Sequence, residues 1–413
     1  MNSPSYHRDN CRLCASRDLE LVVPLGPTPI ADDYVPASRL NEKQPIFPLD
    51  LYLCCACGHV QLLDVVDPNI LFGNYVYVTS ISTSLVEHFR EYTDEVLRRA
   101  NAPAGALVID VGSNDGSLLK FFKQRGMRVL GIDAAREIAK QATESGIETL
   151  GAFFTPDLAR TIKQTHGAAT IVTANNVFAH ADDLGGMAEG IRELLAPDGI
   201  FVFEVSYMVD IVEKLLFDTV YHEHLCYHSV KPLQTFLARH GMELIEVERI
   251  AMKGGSLRGT AQLTGGPRKV SASVSEHLAL EQRLHFDKPE SFRAFAARID
   301  GVKAKVLGEL VRLKSQGKTV AGFGASATCT TLLYHFDLGD KLSFIADDNT
   351  RKHNTFSPGY HLPVLPPQSL YERKPDYVVI LAWNYAQPIL IKHQKFLEQG
   401  GHFVVPMPEL QIV

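Results

Sequence analysis

The sequence predicts an α/β protein in which a small cysteine-rich N-terminal module precedes two successive Rossmann-like domains, each built on a doubly wound parallel sheet. Three observations lead there. Five of the seven cysteines fall in the first 60 residues. Short apolar runs then alternate with amphipathic helical stretches in two separate cycles, the pattern of strand–helix–strand units. At 413 residues the chain also exceeds what one hydrophobic core normally fills.

The bulk properties are those of an ordinary folded enzyme, with 46% hydrophobic and 21% charged residues and no long runs of one sign. Lys and Arg are dispersed and the net charge is −6, which argues against a protein that lives on phosphate-backbone contacts and needs a clustered basic face. No signal-peptide core and no apolar run of about 18 residues is present, so a cytoplasmic protein without membrane partners is expected.

Residues 1–70 form the first region. Cys11-Arg-Leu-Cys14 and Cys54-Cys-Ala-Cys57 are two C-x-x-C knuckles, each able to offer two thiolates to one tetrahedral metal, and Gly58 supplies a tight turn. Zinc is the expected occupant and a structural one, because four Cys ligands leave no open position. The 39 residues between the knuckles exceed the usual ribbon spacing. A redox pair and unligated cysteines are the rival readings. Cys55 is a bystander.

The second region, 71–255, opens with a helical pattern over about 84–100 and a buried strand at Ala106-Leu-Val-Ile-Asp110. Further strands are expected at Val129-Leu-Gly-Ile132, Ala169-Thr-Ile-Val172 and Gly199-Ile-Phe-Val-Phe203. The third region, 256–413, holds a long helical stretch over roughly 273–316. Its strands are expected at Thr319–Phe323, Leu342–Ala346, Tyr377–Leu381 and His402–Val405.

Asp110-Val-Gly-Ser-Asn-Asp-Gly-Ser117 follows the first of these strands and leads into an amphipathic helix. Gly112 and Gly116 let the backbone approach a ligand at the carboxyl end of the strand. The next strand ends in Asp133, 23 positions after Asp110, which suits a carboxylate gripping two ribose hydroxyls. The glycine spacing departs from G-x-G-x-x-G, and carboxylates at Asp110 and Asp115 would repel a pyrophosphate but tolerate the cationic S-adenosylmethionine. A dinucleotide site and a plain structural turn are the alternatives. With Asn114, and with Asn175 and Asn176 after a neighbouring strand, these residues make the candidate cofactor set.

His180 closes the segment Asn175-Asn-Val-Phe-Ala-His180 and is either a satisfied core histidine or a catalytic group at the sheet's mouth. Tyr221, His222, Glu223, His224 and His228 crowd into eight positions. This cluster lacks the i, i+4 histidine pair of a zinc hydrolase, so acid–base chemistry fits it better, with a histidine oriented by a carboxylate.

In order along the chain, the two C-x-x-C knuckles, D-V-G-S-N-D-G, N-N-V-F-A-H, Y-H-E-H and a second Rossmann-like domain resemble the three-domain sugar C-methyltransferases of deoxysugar pathways, the tetronitrose-pathway enzyme among them. The resemblance spans nearly the whole chain. It implies a zinc-binding module, a central S-adenosylmethionine-dependent methyltransferase domain, and a C-terminal domain that helps hold the nucleotide of a nucleotide-sugar. It implies His224 as the base, Tyr221 and Glu223 beside it, and His180 lining the sugar pocket. Tyr75 and Tyr77 match a segment that closes over the ligands. Gly324 and Ser326 belong to a glycine-rich turn that in many relatives ends in lysine. Here that position is Thr328, and Lys352 or Arg351 is the substitute cation.

Methylation of a sugar carbon requires an adjacent ketone, loss of the α proton and a stabilised enolate, with the methyl in line behind the carbon. His224 is expected to take the proton, oriented by Glu223, and Tyr221 or His180 to hold the enolate. O- or N-methylation, a nucleotide-sugar oxidoreductase and a non-catalytic sugar-binding protein are the other readings. If the segment is extended, His222 points away from His224. Metal analysis of the purified protein is expected to find one zinc per chain, and Cys11→Ala to lose it. Full occupancy in that variant would refute the four-cysteine assignment.

Overall fold

The computed structural model describes residues 4–72 and 78–413, with only the backbone of Phe72. Tyr75 and Tyr77 lie outside the described residues. The chain divides into two compact units. The first comprises Met1–Glu20, Leu53–Asp210 and Glu223–Lys288, and the second comprises Leu21–Tyr52, Ile211–His222 and Pro289–Val413. The cysteine module is therefore shared: its knuckles fold with the first unit and the stretch between them with the second.

The first unit is organised on a seven-stranded sheet of β1 (Leu107–Val111), β2 (Arg128–Asp133), β3 (Thr149–Gly151), β4 (Ala169–Asn175), β5 (Leu195–Ser206), β6 (Met242–Ile250) and β7 (Ser256–Leu263). The order is β6-β7-β5-β4-β1-β2-β3. β1 to β5 are parallel, and β7 enters antiparallel between β5 and β6. The chain winds outward from β1 through β2 to β3, then returns to lay β4 and β5 on the other side. That reversal opens a crevice beyond the carboxyl ends of β1 and β4, where ligands of open α/β sheets bind. A domain boundary at 255/256 would fall inside the β6–β7 hairpin, whose second strand completes this sheet.

β1 is buried along its whole length, as its unbroken apolar run requires. Against the sheet packs α1 (Thr83–Ala100), which buries Leu85, Phe89, Tyr92, Val96 and Ala100 at intervals of three and four residues. Leu85, Phe89 and Val96 each contribute about 1.5–3 kcal/mol on burial. Ser82 caps the helix by accepting from Leu85 N, and Asn101 ends it in the left-handed conformation at φ 48°. α2 (Ser117–Gln124) starts directly after Gly116.

The expected stretch at 273–316 is two helices, α3 (Ala272–Arg283) in the first unit and α4 (Pro289–Ser315) in the second. Pro289 starts α4, since proline suits a first helical turn but not an interior. The second unit holds β8 (Val320–Phe323), β9 (Ile345–Ala346), β10 (Thr355–Phe356), β11 (Pro363–Leu365), β12 (Tyr377–Ile380), β13 (His402–Val405) and β14 (Gln411–Ile412). Their order is β14-β13-β12-β8-β9-β11-β10, with Val35–Pro36 added at the β10 edge. The four expected strands are its core, all parallel, and the winding reverses between β8 and β12. Among the described residues no helix is long and apolar enough to cross a membrane.

Gly112 fixes the ligand turn after β1. Its φ is +75°, and a Cβ there would come 2.1 Å from Val177 Cγ2. Gly112→Ala is expected to lower stability by more than the roughly 1–2 kcal/mol of left-handed strain, because Val177 must also move. Denaturant unfolding measures this, and an unchanged midpoint would refute the close approach.

Candidate active site

The crevice at β1 and β4 gathers most of the candidate cofactor residues. Asp110 is buried, and Thr173, its neighbour across the β4–β1 pairing, donates from Oγ1 to its Oδ1 at 2.6 Å. Burial pushes the Asp110 carboxyl up to about 7 against that hydrogen bond. Asp133 ends β2 and accepts two backbone N–H groups, from Asn114 (2.8 Å) and Ala135 (2.8 Å). It thus ties the glycine turn to the next strand, and each oxygen keeps a lone pair for a ligand hydroxyl. Burial raises its pKa despite those two donors.

Asn114 and Asp115 face the opposite way along the chain. Asn114 Oδ1 accepts from Thr79 N (2.9 Å) and Asp115 Oδ2 from Ser80 N (3.0 Å), so both hold the segment entering α1. Gly116, at φ +74°, packs where a Cβ would be 2.9 Å from Ile147. Asn175 is buried at the end of β4, close to the Tyr92 hydroxyl, and among the described residues neither of its side-chain polar atoms has a well-formed hydrogen bond. Asn176 takes a φ of +57°, and its N–H donates to Glu204 O at 2.7 Å. That turn throws the chain into the loop carrying His180.

His180 and His224 stack, with ring centroids 5.1 Å apart and planes at 28°. The backbone places them together, because Leu225 N and Cys226 N both donate to Ala179 O, at 3.0 and 3.1 Å. Burial, with the charges of His224 and Lys253, drives the His180 pKa well below its usual value. Glu223 is buried in the same unit. Residues 222–223 form a turn rather than an extended strand. Tyr221 and His222 belong to the second unit. His222 is buried there against Phe47, ring to ring at 5.7 Å and 71°, with Nε2 3.2 Å from Phe47 O. His228 is buried with its ring beside His59 at 5.5 Å and stacked on Phe178 at 5.7 Å. Burial takes both imidazoles down to about 3, so they are neutral packing groups.

The four knuckle cysteines converge, all sulfurs lying within 4.8 Å of one another. Cys11 and Cys57 are 3.7 Å apart, and Cys14 and Cys54 3.5 Å. A tetrahedral zinc with 2.3 Å bonds needs sulfur separations of about 3.8 Å, so the set fits the metal. Each knuckle closes on a positive-φ residue, Ala15 at 60° and Gly58 at 82°. Hydrogen bonds from Cys54 and Cys57 draw the Cys11 thiol down to about 4, toward the ionised form a metal takes.

In the second unit, Gly324 has φ +104°, and a Cβ there would be 2.4 Å from Ala382 Cβ beyond β12. Ser326 heads α5 (Ala327–His335) without capping it, its Oγ lying 3.0 Å from Thr328 Oγ1. Lys352 reaches this turn but is engaged: Nζ donates to Ala325 O (2.7 Å) and Asp32 (2.6 Å) and lies 4.5 Å from the Tyr34 ring centre.

Several groups escaped the sequence reading. Glu204, next to Asn175 in the sheet, is buried with His88 Nε2 at 2.8 Å and Arg258 Nε at 2.6 Å. Burial opposes its ionisation, but His88 and Arg258 outweigh that and lower its pKa. A lone carboxylate inside the run Ile200–Val205 was the available signal. Lys253, in the β6–β7 turn, interacts electrostatically with Glu204, Glu223 and His180. Asp218, six residues before His224, is buried with Trp383 Nε1 donating at 2.8 Å, and burial pushes it up to about 7.

Residues 11–72, 86–247 and 251–408 match, in turn, the domain families described as "Putative zinc binding domain", "Methyltransferase domain" and "C-methyltransferase C-terminal domain". The C-methyltransferase NovU of Streptomyces niveus is 37% identical over 407 residues, covering 98% of this chain and 97% of that protein. Among solved structures, magnesium protoporphyrin IX methyltransferase from Synechocystis is 16% identical over 47% of this chain and 88% of that one, with a TM-score of 0.33. A SAM-dependent methyltransferase from Anabaena variabilis is 15% identical over 47% and 91%, with a TM-score of 0.37. The full-length match to NovU, on a chain with a zinc-fitted cysteine cluster and a glycine turn at the switch of a parallel sheet, makes this protein a member of the S-adenosylmethionine-dependent C-methyltransferase family.

Proposed function

We propose that the chain methylates a carbon of a nucleotide-linked 4-keto deoxysugar, at C3 or C5, next to the ketone. The stacked His180–His224 pair carries this reading, because the segment before Cys226 brings the His224 ring against that of His180 on the loop leaving β4. S-adenosylmethionine, when bound at the Gly112 turn, supplies an electrophilic methyl group. His224 takes the α proton as neutral imidazole, with Glu223 nearby to favour its charged form. His180 stays uncharged through burial and acts as a hydrogen-bonding partner, sharing with Tyr221 the role of holding the ketone oxygen. Asp133 holds the adenosyl ribose. Gly324, Ser326 and Lys352 contact the nucleotide, and Tyr75 and Tyr77 complete the proposed substrate set. The zinc, closed by four sulfurs, takes no part in the chemistry.

His224→Asn is expected to bind both ligands while turnover falls roughly 10²-fold or more, and to abolish exchange of the α proton with deuterated water. His222→Asn is expected to lower the melting temperature through its lost Phe47 contact and leave the turnover of folded enzyme near normal. The reverse pattern would move the base away from His224.

Asp133→Ala is expected to weaken S-adenosylmethionine binding by at least one charge-assisted hydrogen bond, about 1.5–3 kcal/mol. Calorimetry reads the change, and an unaltered affinity would remove Asp133 from the site.

A further inference from the structure

The β6–β7 hairpin is set at the working edge of the first unit's sheet. Ser256 pairs with Ser206 and Leu257 with Val205, so the turn between Ile250 and Ser256 projects beyond the carboxyl end of β5. This is the edge from which the His180 loop leaves β4. Two contacts fix the turn. Arg249 forms a two-pronged ion pair with buried Asp210, at 2.9 Å for each bond. Gly255, at φ +151°, lies so close that a Cβ would come 2.2 Å from Asp210 Cγ.

Lys253 occupies the middle of this turn at φ 53° and ψ 34°, a left-handed conformation that lysine does not favour. The fixed turn imposes it. The side chain is open to solvent, and desolvation lowers its pKa against the pull of the Glu204 and Glu223 carboxylates. Glu204 is already paired with His88 and Arg258. Among the described residues no acceptor hydrogen-bonds the Lys253 ammonium. A cation is thus held, without its own acceptor, within electrostatic reach of His180.

We propose that Lys253 is a catalytic residue whose ammonium donates to the ketone oxygen of the bound sugar and stabilises the charge that develops there. This rests on the keto-sugar reading above. As His224 takes the α proton, the C–H electron pair moves into the new C=C bond and the carbonyl pair moves onto oxygen, facing Lys253. Attack of the α carbon on the methyl of S-adenosylmethionine forms the new C–C bond as the S–CH3 bond breaks. The electron pair of that broken bond stays on sulfur, so that S-adenosylhomocysteine leaves. The ketone is restored, and Lys253 keeps its proton throughout. A preorganised donor aimed at developing charge is the arrangement that most accelerates such steps.

The test uses Lys253→Gly, which suits the left-handed turn, and Lys253→Arg, which keeps the charge. Both are assayed as full-length zinc-loaded protein with S-adenosylmethionine and a nucleotide-linked 4-keto-6-deoxy sugar. Lys253→Gly is expected to keep its melting temperature and S-adenosylmethionine affinity while α-proton exchange and methyl transfer fall roughly 10²- to 10³-fold. Added propylamine is expected to restore part of that loss, and Lys253→Arg to retain more activity than Lys253→Gly. Wild-type exchange and turnover in Lys253→Gly would overturn the proposal, as would a loss relieved neither by the amine nor by arginine. If the wild-type enzyme neither exchanges the α proton nor methylates carbon in these sugars, the substrate reading falls, and the proposal with it.

Discussion

The arrangement of the first unit around His224 depends on how the segment after it is held. Cys226 and Tyr227 pair antiparallel with Gln61 and Val60, the strand that leaves the second cysteine knuckle, and Leu62 N donates to Leu225 O at 3.0 Å. On its other side the same segment donates two N–H groups to Ala179 O. His224 therefore sits on a short ribbon fastened between a metal knuckle and the loop of its stacking partner. Each hydrogen bond is worth only about 1 kcal/mol, but together they fix the ring spacing. The first knuckle adds a charged fastening. Arg12, between Cys11 and Cys14, is buried and donates to Gln61 (3.1 Å) and Asp182 (3.0 Å), with Arg8 also on Asp182 at 2.9 Å. The four-cysteine cluster is thus tied through the backbone to the segment that carries His224.

Charge burial follows a consistent rule around the crevice. Asn175, Glu204 and Arg258 lie abreast on β4, β5 and β7. Arg258 continues to Glu95 on α1 at 2.5 Å and lies 4.8 Å from the Tyr92 ring centre. Removing one member of such a network leaves an uncompensated buried charge, which costs more than the pair contributes. The network ties α1 to the edge strands, and α1 in turn follows the segment clamped by Asn114 and Asp115. Hydrogen bonds thus link the glycine turn, the helix and the edge hairpin into one connected network.

Much of this network was legible in the sequence. An unbroken apolar run ending in Asp110-Val-Gly marks a buried strand and a ligand turn. The two C-x-x-C pairs point to a shared metal site against the rival readings of a redox pair and unligated cysteines, and the convergence of the four sulfurs favours the metal site. What escaped was tertiary. Phe217–His228 reads as one contiguous motif, yet the chain crosses between units inside it, so Tyr221 and His222 fold with one and Glu223 and His224 with the other. No periodicity records such a crossing. The two-residue strands at β9, β10 and β14 are too short to show alternation. Lys253 stands before two glycines in the sequence with nothing there to mark it, and only strand register places it at the sheet's working edge.

The interleaving of the units has a consequence for synthesis on the ribosome. Leu21–Tyr52 and Ile211–His222 belong to a body whose main sheet begins only at Val320. In that body Val35–Pro36 extends the sheet from β10, Thr330 Oγ1 donates to Ala31 O at 2.7 Å, and Thr331 Oγ1 to Val220 O at 2.6 Å. These early segments emerge long before their partners exist, so domain-by-domain folding in chain order is closed to this protein. The nascent chain must carry these two segments without their partners from the second unit's main sheet until its last third is made. Such a chain is most exposed to aggregation late in translation, and shortening it from the C-terminus strands residues hundreds of positions upstream.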